Sequence, residues 1–170
     1  MHYVSWDRTN RDALKLLAED GPDILGVFEH DRAIVCGQHW ELTSHPETGA
    51  VATSGGREIV RTSDSLKRAK RIDVLVEDTP YAFIPETSKN WVVEGPDGAK
   101  VAQFTQDHNG VRKAILEFEH DAEGLTTAEI AGLSWFTRVI LDANTQGKAW
   151  AWIITLVLAS IVALVALFVL

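Results

Sequence analysis

TTAEIAGLSWFTRVILDA, residues 126–143, is the stretch on which the fold turns. Thr126 and Glu129 stand at the N-cap and N3 spacing of a capping box, so a helix opens here. Ile130, Leu133, Trp135, Phe136, Val139, Ile140 and Leu141 then cover nearly the whole helical circumference, with Arg138 the one basic interruption. A helix that is apolar all round is enclosed on most sides by other structure. Its length and its Glu129, Arg138 and Asp142 make it unsuited to crossing a bilayer. The expectation is a helix over 127–143 wrapped by a sheet or covered by a neighbour.

The sheet is legible upstream. From Ile24 to Phe118 short apolar runs recur between turn signals, the pattern of an antiparallel β domain. Strands are expected at 24–28, 32–38, 49–53, 57–62, 73–77, 81–84, 91–94, 100–105 and 111–118. Gly55-Gly56, Gly95-Pro96-Asp97-Gly98, Asn109-Gly110 and the His45–Gly49 turn supply the dihedrals that tight connections need. The fold class is therefore mainly β (α+β): an antiparallel barrel or curved sheet of about 9–10 strands around or against the 127–143 helix. Two further helical pieces are expected. Residues 9–19 carry Thr9 or Asn10 as a cap and an apolar stripe of Leu14, Leu17 and Ala18. Residues 63–72, SDSLKRAKRI, read as one or two helical turns presenting Lys67, Arg68, Lys70 and Arg71.

Downstream lies AWAWIITLVLASIVALVALFVL, Ala149–Leu170, without charge, Pro or Gly. As a helix it would be about 33 Å long, enough for a hydrocarbon core of about 30 Å. Trp150, Trp152 and Lys148 suit the headgroup level. Thr155, Ala159, Ala163 and Ala166 share one face, where small residues let another transmembrane helix approach closely. The chain thus divides into a globular domain at 1–143, a linker at 144–148 and a span at 149–170. Five linker residues reach at most about 17 Å, which holds the domain against the membrane. MHYVSWDRTNRD contains no apolar signal segment. With Lys148 and Arg138 before the span, this predicts a tail-anchored inner-membrane protein, its domain cytoplasmic and its C-terminus outside.

All 16 Lys and Arg and all 24 Asp and Glu lie ahead of the span, so the net charge of −8 belongs to the domain. That balance argues against nucleic acid as a partner. No phosphate loop, zinc-protease motif, paired CxxC or nucleophile elbow is present, so no cofactor is expected. Cys36 and His39 would point to opposite faces of a regular strand, and Cys36 reads as a buried structural thiol. Asp107, His108, Glu119 and His120 read as solvated loop rather than a metal set. Trp6, Trp40 and Trp91 read as core or interface.

The segments WVVEGPDGAKVAQF (91–104), VRKAILEFE (111–119) and AEIAGLSWFTRVIL (128–141) resemble the tubby C-terminal-like group, which includes phospholipid scramblases and LURP-one-related proteins. That resemblance implies a closed barrel enclosing a helix and binding of phosphoinositides or other lipids at the membrane surface. The layout is also similar to small single-span accessory subunits of bacterial supercomplexes of cytochrome bc complex and cytochrome oxidase. The functional expectation is a non-enzymatic accessory subunit that packs against transmembrane helices of a larger complex. The alternative is a lipid-binding module with Lys67, Arg68, Lys70 and Arg71 toward anionic headgroups or an acidic partner.

Overall fold

The computed structural model describes residues 1–67, 69–87, 90–105, 115–120, 122–144 and 159–160. Its strands are β1 Tyr3–Asp7, β2 Leu14–Ala18, β3 Ile24–Phe28, β4 Arg32–Val35, β5 Gln38–His45 and β6 Gly49–Ser54. They continue as β7 Arg57–Thr62, β8 Ile72–Val76, β9 Thr79–Pro85, β10 Asn90–Glu94, β11 Lys100–Thr105 and β12 Ile115–Phe118. Each strand pairs antiparallel with its neighbours in the chain, and β12 returns to β1 through Tyr3↔Glu117 and Val4↔Leu116. The result is a closed barrel of 12 strands, in which no strand is left with a free edge.

Helix α1, described over 127–144, runs inside this barrel. Leu133, Phe136 and Ile140 on it are fully buried, as are Ala131, Ser134 and Thr137 on its other sides. Its contacts reach opposite walls. Phe136 packs edge-on against Phe83 of β9 at 4.9 Å, and Arg138 lies over the ring of Trp6 in β1 at 5.7 Å. Gly132 faces β7 and β8 so closely that a Cβ there would meet Val60 Cγ2 at 2.9 Å and Val76 Cγ1 at 2.8 Å. β1 and β7 stand half a turn apart in the ring, so α1 fills the lumen from wall to wall. This is the enclosure that its all-round apolarity required.

The capping box forms as its spacing predicts. Glu129 N–H donates to Thr126 Oγ1 at 3.0 Å, and Thr126 N–H donates to Glu129 Oε2 at 2.8 Å. The other Glu129 oxygen accepts from the hydroxyl of Tyr81 in β9 at 3.0 Å, which ties the helix start to the wall. Burial and the neighbouring carboxylate push the Tyr81 phenol well above the ordinary tyrosine range. Its neutral form is thus favoured in the folded state. The stability this contributes is present below pH about 10 and is lost as the pH rises beyond it, because the unfolded chain ionises first. Urea midpoints measured between pH about 8 and about 11 should fall more steeply for the wild type than for Tyr81→Phe. The chain's other tyrosine, Tyr3, is present in both proteins and cancels in the comparison.

Four sequence expectations are corrected. The nine expected strands fall on observed ones, except that 32–38 is broken by the Cys36-Gly37 hairpin and 111–114 lies outside the described residues; β1, β2 and most of β5 were not among them. Residues 9–19 do not form a helix, although Leu and Ala favour one. The carboxylate of Asp7 and the amide oxygen of Asn10 instead accept from the N–H of Thr9 and Asp12, turns that compete with helix capping. β2 then alternates, with Leu14 and Leu16 buried and Lys15 exposed. Residues 63–72 likewise form no helix among the described positions. Leu66 is buried in the core, and its N–H donates to Pro46 O at 2.9 Å, so the segment folds back over the barrel end. Cys36, finally, is exposed and sits with positive φ in the two-residue hairpin Cys36-Gly37, so it is no buried thiol.

Every connection joins adjacent strands, so connections alternate between the two ends of the barrel. The end where α1 begins carries, among the described residues, 19–23, 36–37, 55–56, 77–78, 95–99, 119–120 and 122–126, and Thr126 Oγ1 donates there to Glu77 Oε2 at 2.9 Å. The end where α1 leaves carries, among the described residues, 8–13, 29–31, 46–48, 63–67, 69–71 and 86–87. Among the described residues no helix is long and apolar enough to cross a membrane. The expected span at 149–170 lies outside the described residues except for Ala159 and Ser160, which are helical and exposed.

Candidate functional site

With α1 filling the lumen, the concave surface of the domain lies on its outer wall. The ladder between β7 and β8 holds only two register pairs, Val60↔Val76 and Arg61↔Leu75. Past them the strands part, and side chains take over the bridging. Thr62 Oγ1 donates to Asp73 O at 2.7 Å, and Asp73 N–H donates to Asp64 Oδ2 at 2.9 Å. These bonds occupy backbone groups that would otherwise be open to an incoming strand.

A groove of about 460 Å³ opens beside this seam. Its floor is Leu75, Pro80 and Ala82, and Pro96 of the β10–β11 turn forms one wall. Asp73, Ala82 and Glu94 stand in one row across β8, β9 and β10. Arg71 lies along that row, with Nε 2.8 Å from Asp73 Oδ1 and Nη1 3.6 Å from Glu94 Oε2. Ala82, on the outer face of its strand, is buried beneath this arrangement. Arg61 borders the groove and pairs with Glu58 at 3.3 Å. Two guanidinium groups beside an apolar floor suit an anionic or amphipathic ligand, and the carboxylates next to them reduce that attraction.

The structure brings only part of the expected basic cluster to this groove. Arg71 lines it, while Lys67 turns toward the β5–β6 turn and donates to Glu47 Oε1 at 2.8 Å. That lysine holds the Glu47 carboxyl below its ordinary range. Lys70 is exposed, and Arg68 lies outside the described residues. Sequence reading found the cations of this loop but missed the acids that face them, because Glu47 and Glu94 come from distant turns and strands. A second concavity, about 210 Å³, lies between Trp91 and Glu117, bordered by the hydrogen bonds Gln103–Glu117 and Thr105–Asn90.

The remaining expected residues are placed as follows. Ala159 is exposed on a helical segment, and Thr155, Ala163, Ala166, Trp150, Trp152 and Lys148 lie outside the described residues. Trp6 and Trp40 belong to an aromatic chain through Phe28, with successive centroids 5.1 Å and 6.4 Å apart. Trp91 stacks on Phe104 at 5.9 Å. His39 is exposed on β5. Glu119 pairs with Lys100 at 2.8 Å, and Asp107 and His108 lie outside the described residues. No group of three or more His, Cys, Asp or Glu that could hold a metal occurs among the described residues. Arg138, half-buried beside Trp6 and 3.8 Å from Asp142, has its pKa lowered mainly by desolvation. No family model, no curated protein and no solved structure matches the chain.

Proposed function

We propose that this chain is a single-pass membrane protein and that its barrel is the cytoplasmic domain of a non-enzymatic accessory subunit. The observation that carries this reading is Ala149–Leu170, an uncharged apolar stretch of spanning length. It follows directly on the helix that fills the barrel. A lumen packed with Phe136, Leu133 and Ile140 favours a rigid, capping domain over a carrier that holds its ligand inside. The partners are transmembrane helices of a larger complex, met through Thr155, Ala159, Ala163 and Ala166. A respiratory supercomplex of cytochrome bc complex and cytochrome oxidase is the host proposed from the layout. Ala159→Leu with Ala163→Leu should reduce co-purification of the host in mild detergent while leaving the barrel folded. Undiminished co-purification would sink the helix-seam reading.

A second reading, a lipid-binding module like the tubby C-terminal-like group, draws support from the outer groove and its Arg61 and Arg71. The ion pairs of Lys67 and Arg71 make it the weaker of the two.

A further inference from the structure

The two ends of the barrel differ in charge. Among the described residues, the connections at the end where α1 begins contain carboxylates and no Lys or Arg: Glu19 and Asp20, Glu77 and Asp78, Glu119 and Glu123. Arg57 and Lys100, at the first residues of β7 and β11, offset two of them. Every described connection cation belongs to the opposite end, Arg8, Arg11, Lys67, Lys70 and Arg71, although the Arg71 guanidinium reaches along the outer wall to Glu94, beside the 95–99 turn. Six described carboxylates accompany them, Asp12, Glu29, Asp31, Glu47, Asp64 and Glu86, so that end is only slightly acidic while the first is strongly acidic. The alternation of hairpins between the ends creates this contrast, which no single stretch of sequence displays. α1 leaves the barrel at the cation-bearing end, from which the chain continues toward 149–170.

An anionic lipid surface repels carboxylates and attracts Lys and Arg over about a Debye length, roughly 8 Å at physiological salt. Strands of mostly five or six residues, rising about 3.3 Å each, hold the two ends roughly 15–20 Å apart, so a leaflet acts chiefly on the nearer end. We propose that the barrel stands end-on against an anionic membrane surface, with the α1-exit end and its Lys and Arg facing the headgroups. Its acidic α1-entry end points away and stays free for other contacts. This orientation rests on the reading of 149–170 as a membrane anchor. It makes the domain more than a tethered body, because charge and anchor select the same face.

The molecule carries a convenient reporter. Cys36, the only cysteine, is exposed in the β4–β5 hairpin at the acidic end. Thr48, in the β5–β6 connection, is exposed at the other end. The full chain is reconstituted into phosphatidylcholine–phosphatidylserine vesicles, labelled with a fluorophore at Cys36 or, in a Cys36→Ser background, at Thr48→Cys. Lipids with a nitroxide headgroup should quench the Thr48→Cys label several-fold more than the Cys36 label. Omitting phosphatidylserine should narrow that difference. Equal quenching, or stronger quenching at Cys36, would overturn the orientation. Flotation after a high-salt wash separates the two ideas: a chain that floats with equal quenching loses the orientation alone. A chain that fails to float loses the anchor and the orientation together.

Discussion

Replacing Gly49 with alanine should cost about 4 kcal/mol or more, enough to leave most of the protein unfolded at moderate urea. Gly49 opens β6 with φ +97°, a region that side chains rarely adopt. A Cβ there would sit 2.1 Å from Thr62 O, 2.8 Å from Thr62 C and 3.0 Å from Ser63 Cα. All three are backbone atoms, so no side-chain rotation relieves the clash. Thr62 is also the residue whose hydroxyl bridges β7 to Asp73, so its displacement would open the outer groove as well. Gly56→Ala is the matched control. Its φ is +82° and nothing lies within 4 Å of its Cβ position, so the substitution should cost only the left-handed backbone penalty of about 1–2 kcal/mol. Urea denaturation followed by tryptophan fluorescence measures both. Equal losses would show that steric contact with Thr62 does not matter.

Phe136→Ala should be the most damaging change within the helix, with an expected loss of about 3–5 kcal/mol. The ring is fully buried and meets Phe83 edge to face at 4.9 Å and 76°. Its removal leaves a cavity between α1 and the wall, and a barrel closed by hydrogen bonds around its whole circumference collapses onto such a void poorly. The m-value should stay near the wild-type value, since the same surface is exposed on unfolding. Glu58→Ala is an outer-surface control, expected within about 0.5 kcal/mol because its salt bridge to Arg61 is exposed. A Phe136→Ala loss as small as that of the control would mean that the helix is not the structural centre of the barrel.

Both effects come from features that local sequence expresses unequally. The capping box, the all-round apolar helix and the turns at Gly55-Gly56 and Gly95–Gly98 depend on residues a few positions apart, and all were legible. The Gly95–Gly98 turn closes as its composition predicts, with Gly98 N–H donating to Gly95 O at 3.0 Å. β2 was not legible, because Leu-Lys-Leu-Leu-Ala favours a helix in isolation. Pairing with β1 and β3 overrides that preference, through Trp6↔Leu16 on one side and Leu14↔Phe28 on the other. β5 was missed because polar residues surround Trp40 and Leu42, the two side chains it buries. The basic loop was visible, but Glu47 and Glu94, which hold Lys67 and Arg71, are contributed by other parts of the barrel.

The sequence by itself determined that a β-rich domain packs around or against an apolar helix, and that a separate apolar stretch of spanning length follows. Those conclusions rest on periodicity, capping and hydrophobic length, which are properties of neighbouring residues. Only the tertiary structure decided that the barrel closes at 12 strands, that β1 pairs with β12, and which charges share an end. Each of these depends on pairs brought together from distant positions by ring closure. Gly49 shows the difference in one residue: its turn was readable from His45–Gly49, but the reason it must be glycine is the carbonyl of Thr62 on the next strand.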